Sequence, residues 1–192
     1  MAGQLSSVTY GGDDPLIQID DAGWGDLLSG VVVGCYRAET GQFIYRLIDI
    51  RFFQDPTFDH KDYLDEASRL VQEMVQELKV DAPEPIMVCT GYVLSHVVHD
   101  LQKQGFKVST GKITGRLQEL GEQTFLNELR KLGYEPIPNR EADNRMRAKS
   151  FYSMLNWMKE KPERRQYAKT GWSFFTGKPK RRWGRWGEEE DW

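Results

Sequence analysis

Two cysteines, three histidines and no apolar run long enough to cross a bilayer set the first limits on this chain of 192 residues. With no stretch of about 18 apolar residues, a transmembrane helix is excluded and no membrane association is expected. The opening MAGQLSSVTYGG has neither a basic start nor an apolar stretch, so it does not read as a signal peptide. Cys35 and Cys89 both fall in apolar runs, which predicts two buried thiols in a reducing cytoplasm rather than a disulfide framework. The Gly-x-x-x-x-Gly-Lys-Ser/Thr phosphate loop and the dinucleotide fingerprint are both missing. No serine, threonine or cysteine has a partner base at motif spacing, so a covalent nucleophile is not expected.

What the chain does have is segregated charge. The formal net charge is −3, yet residues 145–185 carry 13 Lys and Arg against 2 Glu, whereas residues 1–144 are net −10 and residues 188–191 are all acidic. Such asymmetry is informative where the total is not. It leaves two readings open: a basic, aromatic segment that binds nucleic acid, or one that folds back onto its own acidic body.

Residues 16–37 organise the rest. They read LIQIDDAGWGDLLSGVVVGCYR, a short apolar strand ending in Asp20 and Asp21, a glycine-rich turn and a second, valine-rich strand. Alternation along residues 16–20 sends Asp20 to one face and Asp21 to the other. Gly23 and Gly25 let the chain turn, and residues 29–36 return as a hairpin partner. Residues 43–53 read as a third strand, buried on both sides for part of its length. Asp59 is placed to cap a helix over residues 61–78, whose apolar positions keep helical spacing from Tyr63 to Leu78, with Asp62, Glu66 and Glu73 along one flank. Strands over 86–89 and 106–109 alternate with a helix that carries Val93 to Leu101, then helices over 114–132 and 141–161 follow.

The order β-β-β-α-β-α-β-α-α predicts an α/β fold: an antiparallel β1-β2-β3 meander followed by parallel β-α-β crossovers, giving a mixed five-stranded sheet with helices on both faces. The predicted organisation is a flexible lead-in over 1–14, a core over 15–138, a C-terminal helical segment over 139–177 that packs on the core, and a basic, aromatic, then acidic tail over 178–192.

Several groups of residues are candidates for chemistry. Thr90-Gly91 and Thr110-Gly111-Lys112 each follow a strand and precede a helix, where free amides and the helix dipole favour a phosphate, with Lys112 and Arg116 adding charge. Ordinary capping by Thr90 and Thr114 accounts for the same residues. His96, His99 and Asp100 share one helix face at metal-ligand spacing without an evident third ligand beyond Cys89 or His60, and a plain polar face explains them equally. In the tail, Arg181, Arg182, Trp183, Arg185 and Trp186 interleave cations with aromatics, a pattern that neutralises phosphates while stacking on bases, docks in a protein partner's groove, or pairs across a homodimer. If it binds nucleic acid, deleting residues 178–192 lowers affinity and flattens its salt dependence.

The strand order, the Ile-Asp-Asp-Ala-Gly-Trp-Gly opening and Glu66 in the first helix together resemble the ribonuclease H-like superfamily, which includes retroviral integrases and Holliday-junction resolvases. The resemblance covers about residues 15–160. It implies action on nucleic acid, and Mg²⁺ held by Asp20 or Asp21, by Glu66, and by Asp143 or Glu141 in the last helix. At the family's fourth-strand acid this chain has Cys89-Thr90-Gly91. The implied activity is a Mg²⁺-dependent nuclease; the alternative is a non-catalytic module of the same fold acting through its basic, Trp-rich C-terminal segment.

Overall fold

A computed structural model describes residues 17–82, 84–138, 140 and 142–177. Five strands form one mixed sheet in the order β3-β2-β1-β4-β5. They are β1 (Ile17–Ala22), β2 (Val31–Arg37), β3 (Gln42–Ile48), β4 (Pro85–Cys89) and β5 (Lys107–Gly111). The first three are an antiparallel meander, while β4 runs parallel to β1 and β5 parallel to β4. The helices are α1 (Thr57–His60), α2 (Asp62–Glu77), α3 (Ser95–Lys103), α4 (Arg116–Lys131), α5 (Asn144–Glu160) and α6 (Ser173–Thr176). Among the described residues no helix is long and apolar enough to cross a membrane.

The pleat sorts the core into two layers. Ile17 and Ile19 of β1 and Val31, Val33 and Cys35 of β2 join the α2 residues Tyr63, Ala67, Val71 and Met74 in one cluster. On the other face Ala22 and Val32 meet Phe125 and Leu129 of α4 and Met154, Leu155 and Met158 of α5. Helices therefore cover both faces, and β1 and β2 are buried because each is covered twice. Cys35 and Cys89 are both buried free thiols.

Four sequence expectations change. The first strand does not end at Asp21 but runs one residue further, to Ala22. Residues 43–53 are not one doubly buried strand. β3 is a sheet edge with only Ile48 buried, and Asp49 ends it by accepting a hydrogen bond from the Arg51 N–H, which starts a 3₁₀ turn over Ile50–Phe53. Asp59 caps no long helix: it lies inside α1, and Lys61 in the left-handed region (φ 62°) separates α1 from α2. Thr110-Gly111 closes β5 instead of opening a helix, because Thr110 and Gly111 pair with Val88 and Cys89. The helix starts at Arg116, after Gly115 at φ 85°.

After α5, residues 162–177 run back along the connection between β1 and β2 and the 3₁₀ turn over Ile50–Phe53. The Ser29 N–H donates to the Tyr167 carbonyl (2.9 Å), the Lys169 N–H to the Leu27 carbonyl (2.9 Å) and the Gly171 N–H to the Phe53 carbonyl (3.0 Å). This strap brings Lys169 beneath the turn that follows Asp20 and Asp21.

Candidate functional site

Asp20 and Asp21 point to opposite sides of β1, yet both line one cleft of about 340 Å³. The sheet itself makes this possible. The β1–β4 ladder stops at the Ile19–Val88 pair, so beyond it the two strands are no longer joined and side chains from both faces meet in the gap. The gap lies at the carboxyl ends of β1, β4 and β5, where open α/β sheets bind ligands. Cys89 closes its far side. One ligand atom from each of Asp20, Asp21 and Cys89 lies within 4.8 Å of the others.

Hydrogen bonds fix the three groups. The Asp21 N–H donates to Asp20 Oδ1 (2.9 Å), the Cys89 thiol donates to Asp21 Oδ1 (3.4 Å), and the Gly91 N–H donates to Cys89 Sγ (3.3 Å). Burial raises Asp20 above the ordinary carboxylate range. Burial, followed by the Asp20 charge, pushes Asp21 up to about 7, and the Glu122 carboxylate adds to that negative field. Burial and the two carboxylates drive the Cys89 thiol far above its usual range, so it stays protonated.

Glu122 reaches the cleft from α4, whose Gly121 lines it as well; a Cβ on Gly121 would make only an ordinary 3.6 Å contact with the Ala22 Cβ. Arg140 holds Glu122 in place, donating to it at 2.7 Å and also to Asp26. On the rim, Thr90, Gly91 and Lys112 line the cleft, with Lys112 exposed. Beneath the Gly23–Trp24 turn lies Lys169, fully buried, its Nζ donating to the Gly23 and Trp24 carbonyls and facing the rings of Phe53 and Trp172. Burial pushes it down to about 7.

Asp20, Asp21, Thr90, Gly91 and Lys112 therefore come together, and other sequence candidates do not. Glu66 lines no part of this cleft, and Arg69 takes both of its carboxylate oxygens at 2.8 Å. Asp143 caps α5, accepting from the Met146 N–H at 2.7 Å. Thr110 lies exposed on β5, while the exposed Arg116 leans toward Glu119 at 3.5 Å. Neither Thr90 nor Thr114 caps a helix with its side chain. His96 pairs with Asp65 (2.8 Å) and Asp100 accepts from Ser68 (2.6 Å), so these do not converge as ligands. Glu141 and the tail residues Arg181, Arg182, Trp183, Arg185 and Trp186 lie outside the described residues.

Sequence reasoning missed Glu122, Arg140 and Lys169. Glu122 is one of several acids on α4, and its spacing alone does not show which of them faces the cleft. Nothing local marks Arg140, in a proline-bounded loop, or Lys169, more than a hundred residues from the turn it supports. Neither the protein-family models nor the curated proteins compared with this chain match it.

Proposed function

We propose that this protein is a divalent-metal-dependent phosphodiesterase acting on nucleic acid, with a ribonuclease H-like core. One observation carries the reading: two adjacent strand carboxylates, Asp20 and Asp21, share an open cleft at the carboxyl edge of the sheet, crowded enough that Asp21 holds a proton near neutrality. A site that keeps two like charges this close is one that a cation relieves. The strand order, with β2 antiparallel to its neighbours and β4 and β5 parallel to β1, supports the fold assignment.

The donor set fits Mg²⁺ or Mn²⁺ at a single position. Such ions take one or two carboxylates and fill the remaining positions with water and substrate phosphate, whereas the Cys89 thiol does not serve a hard cation. A bound ion would lower the pKa of an attacking water and offset charge on the phosphate. Asp20 and Asp21 hold it, Lys112 on the rim meets a phosphate oxygen, and Arg140 keeps Glu122 facing Asp21.

Cys89 in place of a carboxylate favours the second reading, a non-catalytic nucleic-acid-binding or protein-binding module of the same fold. Cleavage assays separate the two. With Mn²⁺ or Mg²⁺, branched, hybrid and single-stranded substrates are offered to the wild type, Asp20→Asn and Asp21→Asn. Metal-dependent cleavage that falls about 100-fold or more in either variant supports catalysis, since metal stabilisation of a phosphoryl transition state is worth several kcal/mol. Equal activity in both variants removes the assignment.

A further inference from the structure

A second cleft, of about 290 Å³, opens from the first between the Gly23–Gly25 turn and α5, and it shares Asp21 and Glu122 with the first. Its α5 wall carries Arg147, Ser150 and Phe151. Ser150 is buried, 3% exposed, and its Oγ has no hydrogen-bond partner among the described residues. A helical serine ordinarily bonds back to the preceding turn, and a buried hydroxyl left without a partner costs about 1–3 kcal/mol. This one stands at a cleft wall, where a ligand oxygen would satisfy it.

The surroundings indicate which ligand. The two acids besides Asp21 at this cleft, Asp26 and Glu122, are both paired with the buried Arg140, which removes them as repulsive charges. Arg147 is exposed at the mouth, and on the outer face of α5 the exposed Arg145 and Lys149 stand in line with Tyr152 at i, i+4 and i+7, with no acidic residue in the first turn. Just beyond the cleft lies an aromatic ledge. Phe151 meets Tyr152 and Phe174 edge-on, with ring centroids 5.7 and 5.4 Å apart. Among the described residues only three large apolar side chains are exposed, and two of them are here, Tyr152 at 60% and Phe174 at 54%. Cations beside open ring faces match a chain of phosphates with unpaired bases.

We propose that this cleft and ledge are the track of a single-stranded nucleic acid leading to Asp20 and Asp21. A flanking phosphate accepts from Ser150 Oγ and Arg147, and a neighbouring base stacks on Tyr152 and Phe174. The inference rests on the reading above for what happens at the aspartates, but it concerns how the strand is held.

The test is fluorescence anisotropy of labelled single-stranded DNA and RNA of about 12 nucleotides, and of a duplex of equal length, titrated with the full chain in EDTA at several salt concentrations. The wild type should prefer single strands. Tyr152→Ala with Phe174→Ala should weaken single-strand binding about 5-fold to 100-fold, the usual worth of a stacked base, and erase the preference over duplex. Arg147→Ala should lower the salt slope by about 0.7, as for one phosphate contact on a single strand. Ser150→Ala should weaken binding while leaving the melting temperature unchanged or raised, because it removes a hydroxyl that lacks a partner. Wild-type binding of nucleic acid with unchanged affinity in these variants overturns the track alone, and assigns binding to the tail or the ledge to a protein partner. No binding of any nucleic acid by the wild type overturns both the track and the proposed function.

Discussion

A Cβ on Gly91 would stand 2.4 Å from Asp21 Oδ1 and 3.2 Å from Cys89 Sγ, so the second residue past β4 is a glycine for the sake of the carboxylate opposite it. Its backbone (φ −65°, ψ 133°) is open to any residue, which isolates the effect of crowding. Gly91→Ala should displace the Asp21 carboxylate and weaken Mn²⁺ binding about tenfold or more with only a small loss of melting temperature, as read by calorimetry and thermal unfolding; unchanged affinity would show that Asp21 is not a ligand. Two buried groups also predict an unusual pH profile. Asp21, raised to about 7, holds a proton in the folded protein that the unfolded chain has already released, so its contribution to stability falls as pH rises from about 4 to 7. Lys169, lowered to about 7, is neutral in the folded protein where the unfolded chain is still charged, so its contribution rises from about pH 7 to 10. Stability from these two groups is lowest near neutrality, and Lys169→Met should flatten the alkaline limb of urea midpoints measured from pH 5 to 10. At this scale the sequence exposed Asp20 and Asp21 through their place at a strand end. It was silent on Lys169, because burial of a lysine is decided by distant chain.

At the scale of elements, the helix whose spacing was clearest is also the one that folds as expected: in α2, Tyr63, Leu64, Ala67, Leu70, Val71, Met74 and Val75 are all buried. β3 misleads because its aliphatic and aromatic residues alternate with no polar face, and only the position of the strand at the sheet edge decides that most of them stay half exposed. The same limit applies to acids on helices, whose spacing shows a flank but not what faces it. Asp143→Ala should cost about 1 kcal/mol as a lost N-cap, and Glu66→Gln less than that, because Arg69 is half exposed and keeps Glu73 as a partner. Both variants should bind metal as the wild type does, and loss of binding in either would restore it to the ligand set. Arg140→Ala is different in kind. It strands Asp26 and Glu122 without their shared cation, and the expected cost is about 3–5 kcal/mol in chemical denaturation, with looser placement of α4 on β1.

For the whole molecule, the charge segregation seen in the sequence acquires a partial address. The strap over residues 162–177 returns to the turn after Asp20 and Asp21, and Lys169, a member of the basic segment, is buried under that turn. The exposed Arg147 of α5 lines the cleft beside Ser150. Part of the basic segment thus folds back, as Lys169 does, and part of it faces solvent, as Arg145, Arg147 and Lys149 do. Strand order and the alternation of helices were legible because they depend on local period and short connections. The convergence of β1, β4, α4 and the strap on one cleft depends on where the sheet splits past Ile19 and Val88, and no local pattern records that. The most direct test of the central claim is calorimetric titration of Mg²⁺ and Mn²⁺ into the wild type, Asp20→Asn, Asp21→Asn and Glu66→Gln at pH 6 and pH 8. The metal site proposed here predicts binding that is tighter at pH 8, as Asp21 gives up its proton, that is lost in both aspartate variants, and that is retained in Glu66→Gln. Binding that survives both aspartate substitutions, or no binding by the wild type at millimolar metal, would contradict it.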